Sequence, residues 1–95
     1  MSGREQYVEK LKARIDQWNA DIEKLQAKAK EAEAESRIKY EEQVREMRAQ
    51  RDEAEKKLKE AREASEDAWG DMRSGFENAW NSISDAFGRA AKRFS

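Results

Sequence analysis

The chain has 95 residues, 37% hydrophobic and 43% charged, and its 20 basic and 21 acidic residues leave a net charge of −1. It contains no cysteine and no histidine, which excludes disulfides, thiolate zinc sites, Glu-x-x-His di-iron centres and histidine general bases. A conventional globular core would be thin at this size and composition, so association of helices is the expected source of buried area.

Charge is interleaved rather than segregated, with 16 residues of each sign up to Ser65. That balance argues against nucleic acid as the main partner, because phosphate binding needs a net basic face that displaces counterions. The opening Met1 to Tyr7 has no apolar signal core, and no window approaches the roughly 18 apolar residues of a spanning helix. The expected compartment is the cytoplasm.

Between Gly3 and Gly70 no glycine or proline interrupts the chain. Proline costs a helix interior about 3 kcal/mol and glycine about 1 kcal/mol, so this stretch permits one long helix. Its first apolar seam runs Val8, Leu11, Ile15, Trp18, Ile22, Leu25, Ala29, Ala32 and Ser36, in alternating steps of three and four. A second seam reads Tyr40, Val44, Met47, Arg51, Ala54, Leu58, Ala61 and Ser65. Between Ser36 and Tyr40 the repeat slips by one residue, about 100° of helical rotation.

The slip has two readings. A turn near residues 34 to 38 gives a spectrin-like three-helix bundle. A continuous helix instead points its two halves' apolar faces in different directions. Glu33 with Arg37 and Glu35 with Lys39 stand at i, i+4 in the favourable order, and no Gly, Pro, Asn or Asp nearby offers turn chemistry. The continuous helix, about 4–64 and roughly 90 Å long, is therefore the preferred expectation, with the three-helix bundle as its alternative.

Ser65 followed by Glu66 and Asp67 reads as the cap and first turn of a new helix, about 66–94. Trp69, Met72, Phe76, Trp80, Ile83, Phe87, Ala90 and Phe94 lie on one helical stripe. An aromatic stripe of that size needs cover. Folding back as an antiparallel hairpin supplies it, setting Met72 near Leu58, Phe76 near Ala54, Ile83 near Met47 and Phe87 near Val44. The seam from Val8 to Ala32 then lacks a partner, and a second copy is the expected supplier. The expected fold is all-α, a single helical coiled-coil domain over 1–95, with a charged heptad helix to residue 64, an aromatic-rich helix from 65 and assembly as a homo-oligomer.

Catalytic chemistry finds no support. Glu31, Glu33 and Glu35, or Glu41, Glu42 and Glu46, read as solvated helix faces rather than an acid–base pair. The seven serines have no histidine to activate them, and Gly70 to Gly75 matches no phosphate loop. No catalytic residue, cofactor, metal or small-molecule substrate is expected. Trp18, Trp69 and Trp80 read as core or protein-interface residues. Arg89, Lys92 and Arg93 beside Phe87 and Phe94 make an amphipathic basic end, which supports a membrane surface as the alternative partner.

The run from Ser65 to Trp80, continuing through Phe87 to Lys92, Arg93 and Phe94, resembles the C-terminal signature of small bacterial coiled-coil proteins. Tyr7 to Lys12 and Ile15 to Asn19 are similar to their start. The resemblance implies a coiled-coil protein without catalytic residues, of a kind found in cyanobacteria and proteobacteria and described there as hypothetical or stress-response. Because the seam from Val8 to Ala32 needs a second chain, function is expected to be structural and self-assembling, as a homo-oligomer or an extended assembly. The alternative is a peripheral membrane or stress-protective amphipathic protein that uses its C-terminal helix.

Overall fold

The computed structural model describes residues 3–92. Three helices follow one another: α1 (Gly3–Glu31), α2 (Ala34–Glu63) and α3 (Glu66–Lys92). No strand occurs among the described residues. The helices run up, down and up in a bundle measuring 52 × 19 × 17 Å. The all-α class is as the sequence predicts, and of the two predicted arrangements the molecule adopts the three-helix one.

The continuous helix over 4–64 is corrected. The chain reverses at Ala32 and Glu33, just before the 34–38 span of the alternative reading. The reason lies in burial. Reversal covers Leu11, Ile15, Trp18 and Ile22 of α1 inside the same chain. Each such side chain contributes about 1.5–3 kcal/mol when fully buried, whereas a helical charge pair contributes about 0.2–0.5 kcal/mol. Arg37, read from the sequence as a partner of Glu33, instead donates from its guanidinium to the Ala32 carbonyl at 3.3 Å.

The two turns are unequal in chemistry. Ser65 caps α3 as expected, its Oγ accepting the Ala68 N–H at 3.1 Å while its carbonyl accepts the Trp69 N–H at 2.8 Å. Glu33 occupies the corresponding position before α2, with extended backbone at φ −67°, ψ 161°, and makes no side-chain cap bond. Across the far end, the Arg4 guanidinium donates to the Ala64 carbonyl at the C-cap of α2. That contact satisfies a helix-end acceptor and ties the start of α1 to the second turn.

The core is a column along the bundle axis. Ala54 and Ala61 of α2 are completely buried in the same core as the aromatic side chains of α3, a mix of small and large residues that suits close helix packing. Gly70, Gly75 and Gly88 lie within α3 with ordinary helical backbone, and a Cβ at any of them would meet open space. None is required by packing, so α3 takes its order from its buried stripe.

Ser65→Ala removes the α3 cap and is expected to cost about 1 kcal/mol. Thermal unfolding followed by circular dichroism should show the midpoint falling by about 4–8 °C for a domain of this size.

Candidate functional site: an aromatic helix interface

The apolar stripe of α3 faces α1 as well as α2, and aromatic rings fill the contact. Trp80 and Phe87 stand seven residues apart on α3, a rise of about 10 Å. Trp18 of α1 occupies the space between them. Its ring centroid lies 5.4 Å from Trp80 and 4.5 Å from Phe87, at interplanar angles of 10° and 14°. Trp18 is thus stacked on both faces and is 5% exposed.

A second cluster repeats the first. Tyr7 lies 5.3 Å from Trp69 and 5.6 Å from Phe76, and Trp69 meets Phe76 edge-on at 5.2 Å. Adding eleven to each of Tyr7, Trp69 and Phe76 gives Trp18, Trp80 and Phe87. Eleven residues are about three helical turns, so both helices return to the same face in step. The sequence reading did not place Tyr7 in the interface. The shared eleven-residue interval is the signal that would have found it.

Every predicted packing residue within the described range joins one core. Leu11, Ile15, Trp18, Ile22, Val44, Met47, Leu58, Trp69, Phe76, Trp80 and Phe87 are buried. Val8, Leu25, Met72 and Ile83 are partly buried against them. Phe94 lies outside the described residues. The seam of α1, assigned from sequence to a second copy, is covered by α2 and α3 of its own chain.

Polar groups at the edges of the column find partners on neighbouring helices. Arg51, on the predicted seam of α2, donates from Nη1 to Asn19 Oδ1 at 2.9 Å and pairs with Asp52 Oδ1 at 3.0 Å. Gln43 is 2% exposed and was not predicted as a core residue. Its Nε2 donates to the Ala91 carbonyl at 2.8 Å, satisfying one of the last acceptors of α3, while its Oε1 is buried without a partner. Gln43 lies one residue before Val44 and four before Met47, the edge of the stripe, which is the pattern that could have signalled it.

The carboxylates weighed from the sequence, Glu31, Glu33, Glu35, Glu41, Glu42 and Glu46, are exposed. No group of three or more metal-ligating side chains occurs among the described residues. The grooves between helices are open. The one at the α1–α2 end is floored by Ala29 and Val44 and flanked by Lys30, Arg37, Glu41, Arg45 and Arg48. No described helix is long and apolar enough to cross a membrane. No family model matches the chain, and no curated protein or solved structure matches it either.

Burial pushes the Tyr7 phenol above its ordinary range; the Glu77 carboxylate acts the same way and the Arg73 guanidinium partly offsets it. Arg73 and Glu77 are themselves paired at 3.1 Å. The folded state therefore holds the phenolic proton more tightly than the unfolded state does. The stability this contributes is fully present below the unfolded tyrosine pKa of about 10 and is lost as pH rises through the folded value. Tyr7→Phe should weaken the fall of the melting temperature above about pH 10, as measured against the parent chain.

Trp18→Ala removes both stacked pairs and leaves a cavity, at an expected cost of about 3–5 kcal/mol. Phe76→Asp or Trp80→Asp places a carboxylate in the same apolar column and should separate α3 from the bundle. Unchanged melting curves in all three variants, and unchanged tryptophan fluorescence in Phe76→Asp, would contradict this packing.

Proposed function

We propose that the chain is a non-enzymatic structural protein, a short helical rod that works by self-association. The observation that carries this reading is the aromatic column. Most of the large aromatic and aliphatic side chains among the described residues are committed to holding three helices in register, and the grooves outside them are open. Catalysis needs partly desolvated groups of separated pKa in a cleft, and this surface offers charge-lined furrows instead. The outer faces carry both signs of charge, with i, i+3 and i, i+4 pairs such as Lys57–Glu60 and Arg73–Glu77. Such faces suit contact with another helical surface of the same kind. The likeness of the Trp-containing segments to stress-response coiled-coil proteins supports a stress-related setting.

The rival is a peripheral membrane protein that inserts α3, the most strongly amphipathic of the three helices. In the bundle the apolar face of α3 is already covered, so lipid binding would require α3 to leave. Light scattering and circular dichroism, each with and without anionic vesicles, separate the two. The structural reading expects a highly helical protein whose mass rises with concentration and which ignores vesicles. A monomer at every concentration that sediments with vesicles and gains helix there would replace it with the membrane reading.

A further inference from the structure

We infer that Ala32 and Glu33 form a hinge, and that the partner is a second copy of this chain exchanging α1. This rests on the self-association reading above and supplies its route. On opening, α1 and α2 would join as one helix of roughly 90 Å. The α1 of each copy would then occupy the place beside α2 and α3 of the other.

The turn itself is the first argument. Residues 31–35 read Glu-Ala-Glu-Ala-Glu, among the strongest helix formers and without any residue suited to reversing a chain. At this turn the Glu33 carbonyl accepts the Arg37 N–H at 2.7 Å, as Ser65 does at the other, but Ala32 N–H reaches the Ala29 carbonyl at 3.3 Å and Glu33 makes no side-chain cap bond. The other turn is capped by Ser65 and braced by Arg4. Straightening at 32–33 would give the end groups of both helices their regular intrahelical partners. Arg37, now on the Ala32 carbonyl, would be free to pair with Glu33. Glu31 and Glu35, like charges at i, i+4, oppose this in part.

The second argument concerns what exchange conserves. Trp18 between Trp80 and Phe87, and Tyr7 against Trp69 and Phe76, join α1 to α3 and need no particular connection between α1 and α2. A second copy's α1 makes the same contacts, so the column is the same whether it closes within one chain or between two. Ile38, 60% exposed and five residues past Glu33, is the large apolar side chain left open among the described residues. It lies at the bundle end where two opened copies would meet.

Ala34→Pro tests the hinge. Ala34 is the first residue of α2, where a helix accepts proline, and Glu33 before it already has the extended backbone that proline requires. In a straightened helix the same proline would lie in the interior, removing a hydrogen bond and clashing with the preceding turn. The parent chain, unfolded and refolded at increasing concentration, should show by light scattering a growing species of twice the 11.1 kDa chain mass. Ala34→Pro should fold with the same helicity and remain at 11.1 kDa throughout. A parent chain that stays monomeric overturns both the exchange and the self-association reading. Equal dimer in the parent and in Ala34→Pro overturns the exchange alone and leaves association through outer faces.

A cross-linking arm does not depend on how the proline variant folds. The chain lacks cysteine, and Asn19 and Arg51 touch across the α1–α2 contact. Asn19→Cys and Arg51→Cys chains, refolded together and treated with a short bis-maleimide, should form covalent heterodimers if α1 is exchanged. A dimer fraction that yields no heterodimer would overturn the proposal.

Discussion

The insertion of Trp18 between Trp80 and Phe87 is the contact on which the rest of the bundle depends. It joins the first and last helices, which no short connection links, and it sets α1 parallel to α3. Once that is so, α2 must run the other way, and the chain must reverse at both 32–33 and 64–65. The Tyr7, Trp69 and Phe76 cluster repeats the contact eleven residues earlier and holds the two helices in step along their length. Offset aromatic pairs contribute about 0.5–1.5 kcal/mol each beyond the area they bury. Several of them in one column outweigh the local preference of residues 31–35 for continuing a helix.

Helix type, the Ser65 cap and the packing stripe of α3 were legible in the sequence because each rests on local spacing. A three-and-four repeat, a serine before two acids and a large apolar residue at nearly every turn are properties of a few neighbouring residues. The turn at 32–33 was not legible as the preferred reading, because nothing in Glu31 to Glu35 asks for it. Its cause lies some fifty residues away, in the rings of α3 that cover the α1 seam. The one-residue slip between Ser36 and Tyr40 did mark the neighbourhood. It recorded that the two seams serve different contacts without saying that the chain turns back between them. Tyr7 and Gln43 are hidden from local spacing for a related reason. Each sits at the edge of a stripe and joins the core only through a partner on another helix.

Helix α3 shows how unevenly order is distributed. Gly70, Gly75 and Gly88 occupy positions where a Cβ would meet nothing, and each lowers helix stability by about 0.5–1 kcal/mol relative to alanine. The loss is offset by burial of Trp69, Phe76, Trp80 and Phe87. Helix α1 depends on the same rings from the other side. Neither α1 nor α3 completes its apolar contacts without the other, although α2 lies between them in sequence. Cooperativity of folding follows from that mutual dependence rather than from the helical propensity of any one segment.

The same distribution bears on assembly. Local preference at residues 31–35 favours a straight helix, whereas the column favours a clamp of α1 against α2 and α3. Within one chain these demands conflict, and the column wins because it buries more. Between two chains they are compatible, since a straightened α1–α2 helix can still place Trp18 between Trp80 and Phe87 of a neighbour. The balance is then between the translational freedom lost on association and the helix-end groups satisfied by straightening. Protein concentration enters that balance directly. In the proposed exchange the aromatic contact is indifferent to connectivity, and the turn at 32–33, with no turn-forming residue of its own, is where association would compete with closure.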